Sequence, residues 1–545
     1  MLAPVPVGAC PMRSFSLPAV VCGLLQAQTT VLSWPQSISV SWGYSIHAAG
    51  DLDGDGVMDI AVGGPFNRAG ASFVDVRSGR TGRTLQSVQG SLSLGYSVAG
   101  SVDFDLDGIP DLLVGNPLSS VGARETGSVQ VISGRTWSTV YQKTGAADDR
   151  LGKRVAWVGD VDGDGIPDFA ALAHHEYPAP QPGYVAVWSG RDGSEILRLT
   201  TPFASGPYAF AGVGDINRDG RADIAVGLGQ PAPPNIHLAP VVVFSGASGA
   251  VLRVLLGDSN HSSVFGWSIS AAGDIDRDGV VDLVIGDPND SLRAPHGGRV
   301  WLFSGATGAP IWSIAGATDD ALGTSVCAIA DVDRDGVPDV VVGAPHPFLN
   351  NPPGYVEVLS GATGAVLRHW DGLLPGDQFG FAVAASDISG DGRPDVLVGA
   401  PCPNNHPPAT YSYVSVFSTV NATRVGAGCG AVPLPDLDGV EPRLGQPWAL
   451  QGSAPPGAAG LLFLGLRPDL PTPLSSSCTA YLPLSRLFPL APLAANAAGV
   501  WSLALPVPYD TVLENVDLAV QACLVDPTQP PAPLLTNGLY AGVRR

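Results

Sequence analysis

Seven nine-residue segments of this chain set carboxylates at the spacing a divalent cation needs. They begin at Asp51 (DLDGDGVMD), Asp103 (DFDLDGIPD), Asp160 (DVDGDGIPD), Asp215 (DINRDGRAD), Asp274 (DIDRDGVVD), Asp331 (DVDRDGVPD) and Asp387 (DISGDGRPD). Acids at positions 1, 3 and 5 fall on the inside of one tight turn, and Gly at position 6 permits the positive φ that the turn requires. The backbone carbonyl of position 7 adds a neutral oxygen, and the Asp at position 9 closes the shell. The ligand sets expected are therefore Asp51, Asp53, Asp55, Val57 and Asp59; Asp103, Asp105, Asp107, Ile109 and Asp111; Asp160, Asp162, Asp164, Ile166 and Asp168; Asp215, Asn217, Asp219, Arg221 and Asp223; Asp274, Asp276, Asp278, Val280 and Asp282; Asp331, Asp333, Asp335, Val337 and Asp339; and Asp387, Ser389, Asp391, Arg393 and Asp395.

Hard oxygen donors without His or Cys favour calcium over zinc or copper, and their number favours calcium over magnesium. Up to seven Ca2+ ions are expected. Loops four and seven, where Asn217 and Ser389 replace an acid, should empty first. Asp-Gly turns also occur as plain hairpin turns. Seven copies argue otherwise, because several carboxylates crowded into one turn repel each other unless a cation compensates them. Position 12, a Glu in an EF-hand, is apolar here (Val62, Ile285, Val342). The loop is thus a hairpin site between strands, and its ion is expected to stabilise the fold rather than to bind a partner or catalyse.

The spacing of the loops dictates what positions them. Their starts recur every 52 to 59 residues, the sign of a repeat architecture. The fifth unit reads FGWSISAAGD from Phe265, then the rest of its loop, LVIGDP, GRVWLFSGATG and APIWSIAG. Four short apolar runs separated by turn residues describe a four-stranded antiparallel sheet. Seven such sheets packed around an axis make an all-β, seven-bladed β-propeller. Runs such as Val340 to Val342 and Val241 to Phe244 suit strands buried on both faces. A strand at Thr30 to Trp34 is expected to close the ring beside Tyr413 to Phe417 and Ala422 to Val425.

These units resemble the FG-GAP repeats of integrin α-subunit propellers. FG stands at Phe265-Gly266 and Phe379-Gly380, and LG at Leu94-Gly95, Leu151-Gly152 and Leu322-Gly323. GAP follows at Gly343 and Gly399, with GGP, GNP and GDP at Gly63, Gly115 and Gly286. The resemblance covers residues 29 to 425 and implies the same fold, the same ion, and partner recognition on the face opposite the Asp loops. The turns that fall on that face hold Asn67-Arg68, Arg124-Glu125, His174-His175-Glu176-Tyr177, Arg293, His296, His346, Phe348 to Asn351 and Asn404-Asn405-His406. His174, His175, His346 and Asn404 are the partner-contact candidates; solvated connectors are the plain alternative. Adjacent residues on a strand point to opposite sides, so His174 and His175 make a poor metal or acid-base pair. Asp148-Asp149 and Asp319-Asp320 read as a repeat-specific turn.

Composition narrows the function. A net charge of −21 with no basic run argues against nucleic-acid backbones and anionic lipid. More than half of the 49 acidic residues lie in the seven loops. Residues 1–27 read as an export signal, with Arg13, the apolar stretch Phe15 to Leu25 and Ala27 as a cleavage position. No later run is long and apolar enough to be a transmembrane segment. Residues 28–425 form the propeller. Residues 426–545, rich in Pro and Leu, read as a small β-sandwich-like domain resembling C-terminal modules of secreted bacterial proteins, with Cys429 and Cys478 its expected disulfide and Cys523 left over. Cys327 reads as a buried small residue. The function expected is a secreted or cell-surface, calcium-binding adhesion module for an extracellular protein or glycan. A calcium-dependent propeller enzyme of polysaccharide lyase or phospholipase type, and a purely structural surface protein, stay open as alternatives. So does surface attachment through the C-terminal module.

Overall fold

The computed structural model describes the backbone of residues 30–36, then residues 41–419 apart from 67–71, 91–92, 176–182, 201–205, 229–238, 258–263, 348–351, 373–374, 391 and 402–411. It also describes the backbone of strands between residues 422 and 542. The export signal, Asp391, Asn404 and the Cys429–Cys478 pair lie outside the described residues.

Thr30–Val420 forms one compact unit of seven four-stranded antiparallel sheets. The first strands of the blades are Ser45–Gly50, Ser97–Val102, Leu151–Gly159, Ala209–Gly212, Ser268–Gly273, Ser325–Ile329 and Ala382–Ser386. Each borders the first strand of the next blade, and Ala382–Ser386 borders Ser45–Gly50, so these strands line the axis. Blade 1 continues with Asp59–Gly64, Ser72–Arg77 and Thr84–Gly90. The second strands are buried from end to end, as in Asp59–Gly64, Asp111–Asn116 and Asp339–Ala344. That is why they read as continuous apolar runs instead of alternating ones. The fourth strand of blade 1, Thr84–Gly90, is half-exposed, with no residue fully buried.

Seven core clusters occupy the seven seams between blades, each drawn from two neighbours. The cluster of Trp42, Ile60 and Val62 with Leu397, Val414 and Val416 joins blade 1 to blade 7. Glycine makes the seams tight. A Cβ on Gly63, Gly115, Gly286, Gly343 or Gly399 would fall 2.0 to 2.1 Å from the carbonyl oxygen of the FG- or LG-type glycine of the next blade. That glycine has φ near +80 to +96° and its N–H bonds back within its own blade, as in Gly43 to Gly63 O (3.1 Å). One seam departs from this rule. Blade 3 has Leu172 where the others have glycine, and blade 4 answers with Pro207 in the facing position, with Leu172 packed on Phe210 and Val226.

The ring closes as expected in part. Thr30–Gln36 pairs antiparallel with Ser412–Ser418, from Thr30 opposite Phe417 to Gln36 opposite Ser412, and so supplies the outer strand of blade 7. Ala422–Val425 does not join that blade; it pairs with Gly538–Gly542. Beyond it, Ala459–Leu466 pairs with both Phe488–Ala494 and Asp517–Val525, and Pro447–Ser453 pairs with Val500–Pro506. Cys327 sits on the first strand of blade 6 as a free thiol whose burial pushes its pKa up to about 12.

Candidate metal centres and the opposite face

Each Asp loop is the turn between the first and second strands of its blade, so all seven lie at one end of the axis. The position-1 Asp folds the loop around itself. Asp51 Oδ1 accepts the N–H groups of Gly54 and Asp55 at 2.8 and 3.0 Å, and Oδ2 accepts that of Gly56 at 2.8 Å. The position-6 glycines all have positive φ, between 79 and 90°. Open space surrounds the missing Cβ of Gly56, so conformation and not crowding selects glycine there.

Position 9 does more than the sequence announces. Asp59, Asp111, Asp168, Asp223, Asp282, Asp339 and Asp395 are all fully buried. Asp59 Oδ2 accepts the N–H of Leu52 (2.8 Å) and Oδ1 that of Gly79 (3.1 Å), a glycine in the turn after the third strand. The same staple recurs at Gly134, Gly190, Gly246, Gly305 and Gly361. Its mark in the sequence is the Ser-Gly dipeptide at the end of the third strand in blades 1 to 6, as in Ser304-Gly305; blade 7 has Ser418-Thr419 there. Burial pushes Asp59 and Asp339 up to about 6, and raises Asp111, Asp168, Asp223 and Asp282. Yet both oxygens receive N–H donors, which leaves little place for an acid proton. A nearby cation resolves that conflict.

Carboxylates converge in five loops: Asp51, Asp53 and Asp59; Asp103, Asp105 and Asp111; Asp160, Asp162 and Asp168; Asp274, Asp276 and Asp282; and Asp331, Asp333 and Asp339. Within each cluster the ligand atoms lie within 4.8 Å of one another. Loops four and seven contribute one carboxylate fewer. Asn217 turns its Nδ2 to Asp219 Oδ2 at 2.8 Å. Ser389 Oγ is buried with no hydrogen-bond partner among the described residues, as an oxygen awaiting a ligand would be. The donor set, all oxygen and largely anionic, fits a hard divalent cation.

The position-5 side chain stands apart from the five clusters. Its Oδ1 takes the position-7 N–H, as Asp55 does from Val57 and Asp278 from Val280, each at 2.9 Å. Val57, Val280 and Val337 bury their side chains in the core. In blades 1 to 3 an arginine from the turn after the third strand grips Oδ2: Arg80 on Asp55 (3.0 Å), Arg135 on Asp107 (2.9 Å) and Arg191 on Asp164 (2.6 Å). Blades 4 to 6 have alanine there, at Ala247, Ala306 and Ala362, and carry arginine at loop position 4. Arg218 of blade 4 reaches the carbonyl of Asp278 in blade 5, and Arg277 of blade 5 that of Asp335 in blade 6, both at 2.8 Å. Arg334 holds the same slot in blade 6. Arg221, at position 7 of loop four, reaches back to the Val161 carbonyl of blade 3 at 3.3 Å, and Arg393 holds the equivalent position in loop seven.

Two histidines on the opposite face, His175 and His346, are engaged within their own blades. His175 Nε2 bonds Asp149 Oδ1 (2.9 Å), and Tyr184 donates to Asp149 Oδ2 (2.6 Å). Blade 6 repeats this with His346, buried and 3.1 Å from Asp320 Oδ1, and Tyr355 donating at 2.7 Å. In blade 7 Tyr413 donates to Asp377. The second Asp of each Asp-Asp pair therefore ties the entry turn of a blade to its second and third strands, and the first Asp crosses the seam, Asp148 to Arg124 and Asp319 to His296. His174 is placed differently: its ring meets Tyr208 edge-on at 5.5 Å.

Tyr208 belongs to a feature the sequence did not single out. One residue per blade, at or near the start of the first strand, faces the axis at this end: Tyr44, Tyr96, Lys153, Tyr208, Trp267, Thr324 and Phe381 line a cavity of 220 Å3. Phe381, Tyr44 and Tyr96 form one aromatic arc, with centroids 4.9 and 4.8 Å apart, and Tyr208 stacks on Trp267 at 4.1 Å to form a second. Lys153 and Thr324 separate the arcs. The slot after each FG- or LG-type glycine, and after Pro207 in blade 4, was the signal that could have revealed it.

Comparison with known proteins agrees with this geometry. Models of the FG-GAP repeat match residues 42–76, 94–132, 322–365 and 379–414, and of the FG-GAP-like repeat residues 160–226 and 274–342. The propeller of this chain is built of FG-GAP repeats. The FG-GAP propeller is integrin-α-like and seven-bladed, and its five Asp clusters resemble the calcium sites of such repeats. Similar proteins include integrin alpha-3 of Cricetulus griseus, 30% identical over 186 residues, and integrin alpha-7 of Homo sapiens, 31% over 183, each match covering 31% of this chain. Integrin alpha-PS2 of Drosophila melanogaster is 30% identical over 230 residues, 37% of this chain. The matches span 17%, 15% and 16% of those relatives' lengths. No helix among the described residues is long and apolar enough to cross a membrane.

Proposed function

We propose that this FG-GAP propeller is a calcium-loaded, extracellular or cell-surface module that binds a protein or glycan through the end of the axis opposite its Asp loops. The observation that carries the reading is the division of labour between the two ends. One end is devoted to carboxylate clusters stapled into the blades, Asp51, Asp53 and Asp59 and their four counterparts, which are the ligands proposed for Ca2+. Bound there, the ion supplies positive charge that lets buried carboxylates stay ionised and cross-links each loop. The other end offers a concave, half-buried aromatic surface. Loops four and seven take ions more weakly through Asn217 and Ser389.

The similarity to integrin α-subunits supports an adhesive, non-enzymatic role over a polysaccharide lyase or phospholipase. The test is calcium-dependent capture of purified protein on arrays of glycans and extracellular proteins. Specific capture that disappears on chelation is expected. Turnover of a polysaccharide or phospholipid by the same preparation sinks the non-enzymatic reading, and capture indifferent to chelation sinks the calcium dependence.

A further inference from the structure

We propose that the axial cup binds a single carboxylate-bearing sugar ring, such as a terminal uronic acid, with its faces against the two aromatic arcs and its carboxylate at Lys153 and Arg154. The inference rests on the binding-module reading and gives that site a ligand class. Its first support is charge. In a chain of net charge −21, the lining of this cavity includes Lys153 and Arg154 and, among the described residues, not one Asp or Glu. Lys153 Nζ lies 4.2 Å from the centre of the Tyr208 ring, so the cup already contains the cation its aromatic walls would attract. A second cation from a partner would meet like charge in a partly desolvated site, whereas an anion gains from both groups.

The second support is shape. The walls are two arcs facing each other across the axis, Phe381–Tyr44–Tyr96 and Tyr208–Trp267, with polar gaps at Lys153 and Thr324. A pyranose presents two C–H faces and a polar rim, which matches two aromatic walls and two polar gaps. An acidic peptide side chain supplies the charge but leaves the walls uncovered. The third support is size. At 220 Å3 the cup lies below the roughly 300 Å3 at which drug-sized pockets begin, so it takes one ring and not an oligomer lying flat. A chain end entering along the axis satisfies that limit.

The experiment is titration of the full, calcium-loaded chain with D-glucuronate and with its neutral counterpart D-glucose, followed by saturation-transfer NMR. An Asp-rich peptide is added as a competitor. Glucuronate is expected to bind at least about tenfold more tightly than glucose. Lys153→Met, which keeps the aliphatic stem, should erase that preference while leaving the melting temperature unchanged, and Trp267→Ala should weaken both sugars. Equal binding of the two sugars, binding of neither, or stronger binding by the peptide overturns the assignment. Array capture that survives both substitutions also overturns it while leaving the module reading intact; loss of all calcium-dependent capture in the wild-type chain defeats that reading instead.

Discussion

The Asp loops of blades 1 to 3 are fastened to their own blades, and those of blades 4 to 6 to their neighbours. Arg80, Arg135 and Arg191 spend their charge on a position-5 carboxylate of the same blade. Arg218 and Arg277 leave that carboxylate alone and reach across the seam to a carbonyl. The difference has an electrostatic side, because an arginine at Oδ2 offsets negative charge beside the carboxylate cluster in blades 1 to 3. It has a backbone side as well. Arg218, Arg277 and Arg334 hold φ of 61 to 66° at a position where Gly54 and Gly163 stand in blades 1 and 3, a conformation costing a non-glycine residue about 1 kcal/mol or more. Blades 1 and 2 therefore have independent loops, and blades 4 to 6 a linked series that Arg221 extends back to the Val161 carbonyl of blade 3. Blade 5 should hold calcium more firmly than blade 2.

Calcium removal should change stability most. An ion at 100 times its Kd adds about 2.7 kcal/mol per site to a fold that alone binds it. Calorimetry before and after chelation should show a large fall in melting temperature, and hydrogen exchange should place the first loss of protection in loops four and seven, then in blades 1 to 3, before blade 5. Simultaneous release from all loops would break the comparison.

Next in size is Asp282→Asn, which places an amide donor against backbone N–H groups in a buried staple and should cost about 2 to 3 kcal/mol. Denaturant unfolding measures it, and the cost should be similar for Asp111→Asn, because the staple is common to both halves of the ring.

The arginines themselves give a smaller and more discriminating effect, below about 1 kcal/mol at these exposed positions. Arg277→Ala should speed amide exchange in the loop of blade 6, and Arg135→Ala in the loop of its own blade 2. Exchange that rises only in blade 5 on losing Arg277 would remove the linked series.

The smallest effect separates blades 3 and 6 by pH. Arg198 covers Tyr184 in blade 3, and His369 stacks on Tyr355 in blade 6. Asp371 and Glu357 raise His369 to about 9. Its contribution is full below about 6.5, where the unfolded imidazole is also protonated, and is lost as pH rises through about 9. Exchange protection of the outer strand of blade 6 should fall slightly over that range while that of blade 3 stays level.

How much of this could be read beforehand follows the range of the interactions. The seven loops, their turn glycines and the four strands per blade are local patterns, and the sequence displays them within single units. The closing strand at Thr30 was legible because an eighth strand remained after seven units were counted, but Ala422–Val425 mixes apolar and polar residues as the outer blade strands do, and only its partner, Gly538–Gly542, reveals where it belongs. The histidine pairs were hidden because Asp149 and His175, or Asp320 and His346, are separated by 26 residues. The axial cup was hidden for a similar reason: it takes one residue from each of seven blades, at a position that varies between Tyr, Lys, Trp, Thr and Phe.

The closing strand bears on how the molecule answers force. Thr30 lies opposite Phe417, so the chain enters and leaves the propeller at the same corner of blade 7. A load applied between those two ends acts on the last rung of the Thr30–Gln36 ladder first and opens it one hydrogen bond at a time, as a zip opens, rather than shearing all its rungs together. Under tension the outer strand of blade 7 is the mechanical fuse of the ring, and it gives way before any Asp loop is strained.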